Sequence, residues 1–88
     1  MITVKLLGGA RKIVGKDQVS LEMQSIRVSE ILETLCSMSS NPDILNSSNM
    51  LIAVNGTELS ILGGLNAQVK DGDVVSIVPV VHGGTVEL

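Results

Sequence analysis

The stretch Val28-Ser29-Glu30-Ile31-Leu32-Glu33-Thr34-Leu35-Cys36 decides the fold. Val28, Ile31, Leu32, Leu35 and Cys36 recur at intervals of three and four, and Ser29, Glu30, Glu33 and Thr34 fall on the opposite side. That period belongs to a helix that buries one face and wets the other. Its start is expected between Ser25 and Ser29, with Glu30 favourably placed at the positive end of the helix dipole, and its end between Ser37 and Pro42.

On either side of this segment the period shortens to two. Ile2, Val4 and Leu6 alternate with Thr3, Lys5 and Leu7, the pattern of a half-buried strand. Gly8-Gly9 and Gly15-Lys16-Asp17 bracket a loop or short helical turn at Ala10 to Val14, after which Val19, Leu21 and Met23 suggest a second strand. Beyond the helix, residues 43–49 read as a polar loop. Met50 to Val54 reads as a strand stopped by Asn55-Gly56, a pair that tolerates the positive φ of a tight hairpin turn. Thr57 to Ser60 is the expected short return strand, Gly63-Gly64 a bend, and Lys70-Asp71-Gly72-Asp73 a strong turn signal before a long apolar strand from Val74 to Val81. One helix covers one face of a sheet, so the order strand, strand, helix, strand, short strand, strand implies an α+β fold. A mixed sheet of about four or five strands with the helix on one face is the β-grasp arrangement. Residues 1–81 are assigned to this domain and 82–88 to a flexible tail carrying Gly83-Gly84 and a four-residue extension.

Eighty-eight residues accommodate one core. The hydrophobic fraction of 44% and charged fraction of 17% are those of an ordinary globular chain, and no apolar run approaches the ~20 residues of a membrane span. Met1 to Leu7 has none of the features of a secretory signal, and the single cysteine, Cys36, forms no internal disulfide, so a reducing cytoplasm is expected. A net charge of −3 with six Lys and Arg and no aromatic residue argues against nucleic-acid binding. The mild acidity suits either plain solubility or contact with basic patches on partners.

Residue counts exclude catalytic triads, because His82 is the only histidine and Cys36 sits on the apolar side of the helix. Glu30 and Glu33 read as a solvated helix face, and there is no Cys/His cluster for a metal. The chain is therefore expected to be no enzyme and to carry no cofactor of its own. Gly8-Gly9 and Gly63-Gly64 read as turns, whereas Gly83-Gly84 directly follows the last strand and has nothing apolar after it to be packed. Parity of that last strand turns Val75 and Ile77 inward and Val74, Ser76 and Val78 outward. Leu7, Ala53, Val74, Val78, Val80 and His82 are the candidate partner-binding residues.

The segment Leu51-Ile-Ala-Val-Asn-Gly56, followed by Lys70-Asp-Gly-Asp-Val-Val-Ser-Ile-Val-Pro-Val-Val-His-Gly-Gly84, resembles the MoaD and ThiS sulfur carriers, the ubiquitin-related modifiers and the archaeal small modifier proteins. The order of elements agrees over residues 1–84, and the Asp-Gly-Asp turn, Pro79 and the Gly-Gly pair carry the resemblance most specifically. It implies a protein acted upon by an adenylyltransferase of the ubiquitin-activating type, to which ATP and magnesium belong. The reacting groups would be Gly83 and Gly84, through the Gly84 carboxylate. The product would be a thiocarboxylate used in molybdopterin or thiamine synthesis or tRNA thiolation, or an isopeptide on target lysines. A MoaD-like role would bring a large molybdopterin synthase subunit as a further partner. Thr85 follows Gly84, which departs from the carriers' free terminus and implies a processing peptidase. The competing reading is a non-reactive β-grasp module that binds proteins through its surface. In either case the chain is expected to be a monomer on its own.

Overall fold

The computed structural model describes residues 1–38 and 50–79, with Ile13 described by its backbone alone. The loop expected at 43–49, the end of the last strand, and Val80, His82, Gly83, Gly84 and the rest of 82–88 lie outside the described residues. Among the described residues seven strands and two α-helices follow in the order β1 (Ile2–Leu6), α1 (Gly9–Val14), β2 (Gln18–Leu21), β3 (Ser25–Arg27), α2 (Val28–Met38), β4 (Met50–Val54), β5 (Thr57–Glu58), β6 (Gln68–Lys70) and β7 (Val74–Pro79). Between β5 and β6 the chain makes two 3₁₀ turns, Leu59–Leu62 and Gly64–Asn66. Five strands form one mixed sheet in the order β2-β1-β7-β4-β5, and β3 and β6 pair as a separate ribbon. This is the β-grasp fold that the element order implies.

Helix α2 buries Val28, Ile31, Leu32 and Leu35, with Cys36 partly buried against the core. It starts where Glu30 reaches back to accept the Arg27 backbone N–H at 3.0 Å, which satisfies one of the donors left over at a helix N-terminus. The helix covers the inner face of the sheet, where Ile2, Val4 and Leu6 of β1, Ile52 and Val54 of β4, and Val75 and Ile77 of β7 are buried. Among the described residues no polar or charged side chain is buried. The core thus consists of aliphatic side chains and Met50 and is held by area and shape, each large side chain contributing roughly 1.5–3 kcal/mol against its ordering entropy.

Several local expectations need correction. Strand β2 ends at Leu21, and Met23 is exposed beyond it. The helix starts at Val28, within the expected range, but Ser25–Arg27 just before it is a strand, and neither it nor its partner Gln68–Lys70 is foreseen by the sequence pattern. Each of these strands contributes one buried residue, Ile26 and Val69, between two exposed polar ones, too short a run for a two-residue period to register. The return strand stops at Glu58 because Leu59 turns inward at the start of a 3₁₀ turn.

The two turns at one end of the sheet are tied to each other. Asn55 has φ 51° and Gly56 φ 86°, the left-handed pair of a tight hairpin turn. The Asn55 side chain donates through Nδ2 to Asp73 Oδ1 at 2.9 Å and accepts from the Val74 N–H at 2.9 Å. Asp73 Oδ2 accepts from the Lys70 N–H at 2.8 Å. The Lys70 N–H and then the Asn55 amide hold the Asp73 carboxyl below its usual pKa. A lowered folded-state pKa gives stability that is present above the unfolded carboxyl's value, about 3.9, and is lost as pH falls through the folded one. Asp73→Ala should therefore lower stability at pH 7 by about 1 kcal/mol, or roughly 4–8 °C in Tm. The gap to wild type should narrow as the pH drops below about 4, as read by thermal melts across pH.

Candidate functional site

The outer face of the sheet, opposite α2, carries the candidate partner-binding residues Leu7, Ala53, Val74 and Val78, and strand register sorts them into rows. The pairings Thr3↔Val74, Lys5↔Ser76, Ala53↔Ser76 and Leu51↔Val78 place side chains of equal parity side by side. Val74 shares its row with Thr3 and Ser20. The next row runs Gln18, Lys5, Ser76, Ala53 and Glu58. In the last row Val78 lies beside Leu51, and Leu7 is held next to it because its N–H donates to the Ile77 carbonyl at 3.0 Å.

Of the predicted residues, the structure brings together Leu7 and Val78, with Ala53 one row away. Val74 stands at the other end of its strand, about 13 Å from Val78 at the usual strand rise and separated by Ser76. Leu51, which the sequence reading passed over, completes the apolar row and is 51% exposed, against 43% for Leu7. The signal for it was present: if Met50, Ile52 and Val54 turn inward, Leu51 must share the outer face with Ala53. Val80, His82, Gly83 and Gly84 lie outside the described residues, but the chain's route to them is fixed as far as Pro79, which pairs with Met50. The last apolar row is therefore the row from which the chain leaves toward Gly84.

A cleft of about 220 Å³ opens on the inner side of β4, between Met50, Ile52 and the 3₁₀ turns. Glu58 at its rim is occupied by the Ser60 hydroxyl and the Ser60 N–H, which together lower its pKa. Among the described residues no group of three His, Cys, Asp or Glu comes together, and no helix is long and apolar enough to cross a membrane.

The model of the ThiS family matches residues 4–84, nearly the whole chain. The chain belongs to the ThiS family. It is thus a ubiquitin-like protein of the ThiS/MoaD type, the class of small sulfur carriers and modifiers. A chain of the BexX/CysO complex from Amycolatopsis orientalis is similar at 27% identity and TM-score 0.72, with 96% of this chain and 100% of that one covered. Small archaeal modifier protein 1 from Methanosarcina acetivorans matches at 25% identity and TM-score 0.72, covering 94% of this chain and 95% of the other. Urm1 from Trypanosoma brucei, at 22% identity and TM-score 0.75 with 94% of both chains covered, shares the fold. No curated protein matches the sequence.

The two faces of β4 and β7 should respond differently to truncation. Ile77→Ala is expected to cost about 2–5 kcal/mol and Leu51→Ala under about 1 kcal/mol, measured by urea denaturation. Equal costs would contradict the assignment of Leu51 to the outer face.

Proposed function

We propose that this ThiS-family chain works as a MoaD-like carrier or modifier whose reacting group is the Gly84 carboxylate, presented to an adenylyltransferase of the ubiquitin-activating type. The observation that carries the reading is the family match itself, which runs to Gly84 and leaves Thr85 to Leu88 outside. Residues 1–81 serve as the folded handle and 82–84 as the segment that enters the partner's site.

A carboxylate is a poor acyl donor until it is activated. The Gly84 carboxylate oxygen attacks the α-phosphorus of ATP held by the enzyme, forming an acyl adenylate and releasing pyrophosphate. Hydrosulfide then attacks the acyl carbon, AMP leaves and the sulfur loses its proton, which gives a thiocarboxylate. A lysine amine attacking the same carbon gives an isopeptide, again with loss of AMP. Two glycines suit either step, because without Cβ atoms they leave the carbonyl open to close approach. Sulfur carriage for molybdopterin synthesis, with the C-terminal segment entering a large synthase subunit, is the favoured use, and conjugation to lysines the second.

None of this proceeds while Gly84 is joined to Thr85, since an internal amide has no free oxygen to attack phosphorus. Residues 85–88 alone span up to about 14 Å when extended, enough to fill the space that ATP needs. A peptidase must first hydrolyse the Gly84–Thr85 bond. The outer-face row of Leu7, Leu51 and Val78, with Ala53 beside it, supplies the docking surface nearest the departing chain.

The test is ATP–pyrophosphate exchange with the cognate enzyme and magnesium. The form ending at Gly84 should support exchange and the longer chain should not, with Gly84→Ala as the control. Exchange by neither form would favour a non-reactive binding module, and equal exchange by both would mean that another carboxylate reacts. Val78→Asp in the Gly84-ending form should raise KM for the carrier by about tenfold or more while the Tm stays near wild type, because a desolvated unpaired charge at a contact is costly.

A further inference from the structure

The net charge of −3 conceals a strong segregation. Four of the six Lys and Arg residues, Lys5, Arg11, Lys12 and Lys16, lie within residues 5–17, which contain one acid, Asp17. That segment carries +3 and the rest of the chain −6. The fold gathers these cations at one edge. Helix α1 turns Ala10 and Val14 into the core, leaving Arg11 and Lys12 exposed on its outer side. The Ala10 N–H donates to the Leu7 carbonyl at 3.2 Å, so the helix stands directly on the end of β1. The Leu6 N–H donates to the Asp17 carbonyl at 2.8 Å, which brings Lys16 to the same end. Lys5 faces outward between Gln18 and Ser76. Asp17 offsets little, because its contact with Arg11 is 3.7 Å long and open to solvent.

This edge is also where the chain departs toward Gly84, since β1 and β7 run parallel with Leu6 beside Ile77. We infer that Lys5, Arg11, Lys12 and Lys16 form a basic docking flank that binds a carboxylate-rich protein surface bordering the site that receives the C-terminal segment. The inference rests on the reading that Gly84 is presented to an activating enzyme. An acidic protein surface fits better than an extended polyanion. A nucleic acid or an anionic membrane would run past four cations onto the acidic remainder of the molecule, and there is no aromatic side chain to stack on a base. A local acidic patch on a protein meets the flank alone. The flank adjoins the row of Leu7, Leu51 and Val78, so charge would steer and orient the encounter and the apolar row would close it.

The experiment measures the association rate of the Gly84-ending chain with its cognate adenylyltransferase at about 50 and about 300 mM salt, where screening differs strongly. Lys12→Glu/Lys16→Glu is compared with Arg27→Glu/Lys70→Glu, which alters net charge equally but lies outside the flank. The flank variant should slow association about tenfold or more at low salt, the control less than about twofold, and the difference should largely vanish at high salt. Lys16→Glu alone, with a smaller slowing in the same direction, guards against misfolding of the double variant, and thermal melts verify each fold. Equal slowing by both double variants, or slowing by neither, overturns the flank while pyrophosphate exchange by the unaltered chain still upholds the functional reading. Absence of exchange by the unaltered chain removes that reading and the flank with it.

Discussion

The parallel pairing of β1 with β7 is the constraint on which the rest of the structure depends. It joins strands from opposite ends of the chain through Thr3↔Val74 to Leu6↔Ile77 and places Val4, Leu6, Val75 and Ile77 wholly inside. Antiparallel β2 and β4 can then flank this pair, and α2 can close over its inner face. Because β1 and β7 run the same way, the end of the first strand and the start of the departing chain share one edge. The apolar row, the basic flank and the route to Gly84 are neighbours for that reason.

Much of this was legible in the sequence where a period persisted long enough. The spacing of Val28, Ile31, Leu32 and Leu35 marked the helix face, and the parity of Ile2 to Leu6 and Val74 to Val78 marked both sides of the sheet. Asn55-Gly56 and Asp71-Gly72 declared their turns through backbone conformations that few other residues adopt. The β3–β6 ribbon was not legible, because its strands present one apolar residue each and their partner lies some forty positions away. Leu51 was recoverable from parity but is easily taken for part of a buried run. The charge segregation was hidden by averaging, since a net charge does not record where the charges are.

The candidate site is an exposed sheet face with an apolar row along one edge. The two carboxylates with lowered pKa among the described residues, Glu58 and Asp73, are engaged in local turns. What the fold offers is a surface and a direction. A rigid handle lets a partner recognise the domain at a distance from the reacting carboxyl, so that binding energy from the sheet can be used to position a short segment in the partner's site. On the proposed function, reactivity belongs to Gly83-Gly84, a role that only the family resemblance implies, since the same pair occurs twice more as turns.

A carrier or modifier role at Gly84 requires that its carboxyl become free. Intact mass spectrometry of the protein purified from cells that make it naturally tests this most directly. The expected result is a species ending at Gly84, accompanied by one heavier by a sulfur-for-oxygen exchange or by adducts joined through Gly84. A population that retains Thr85 to Leu88 throughout, with none ending at Gly84, would contradict it.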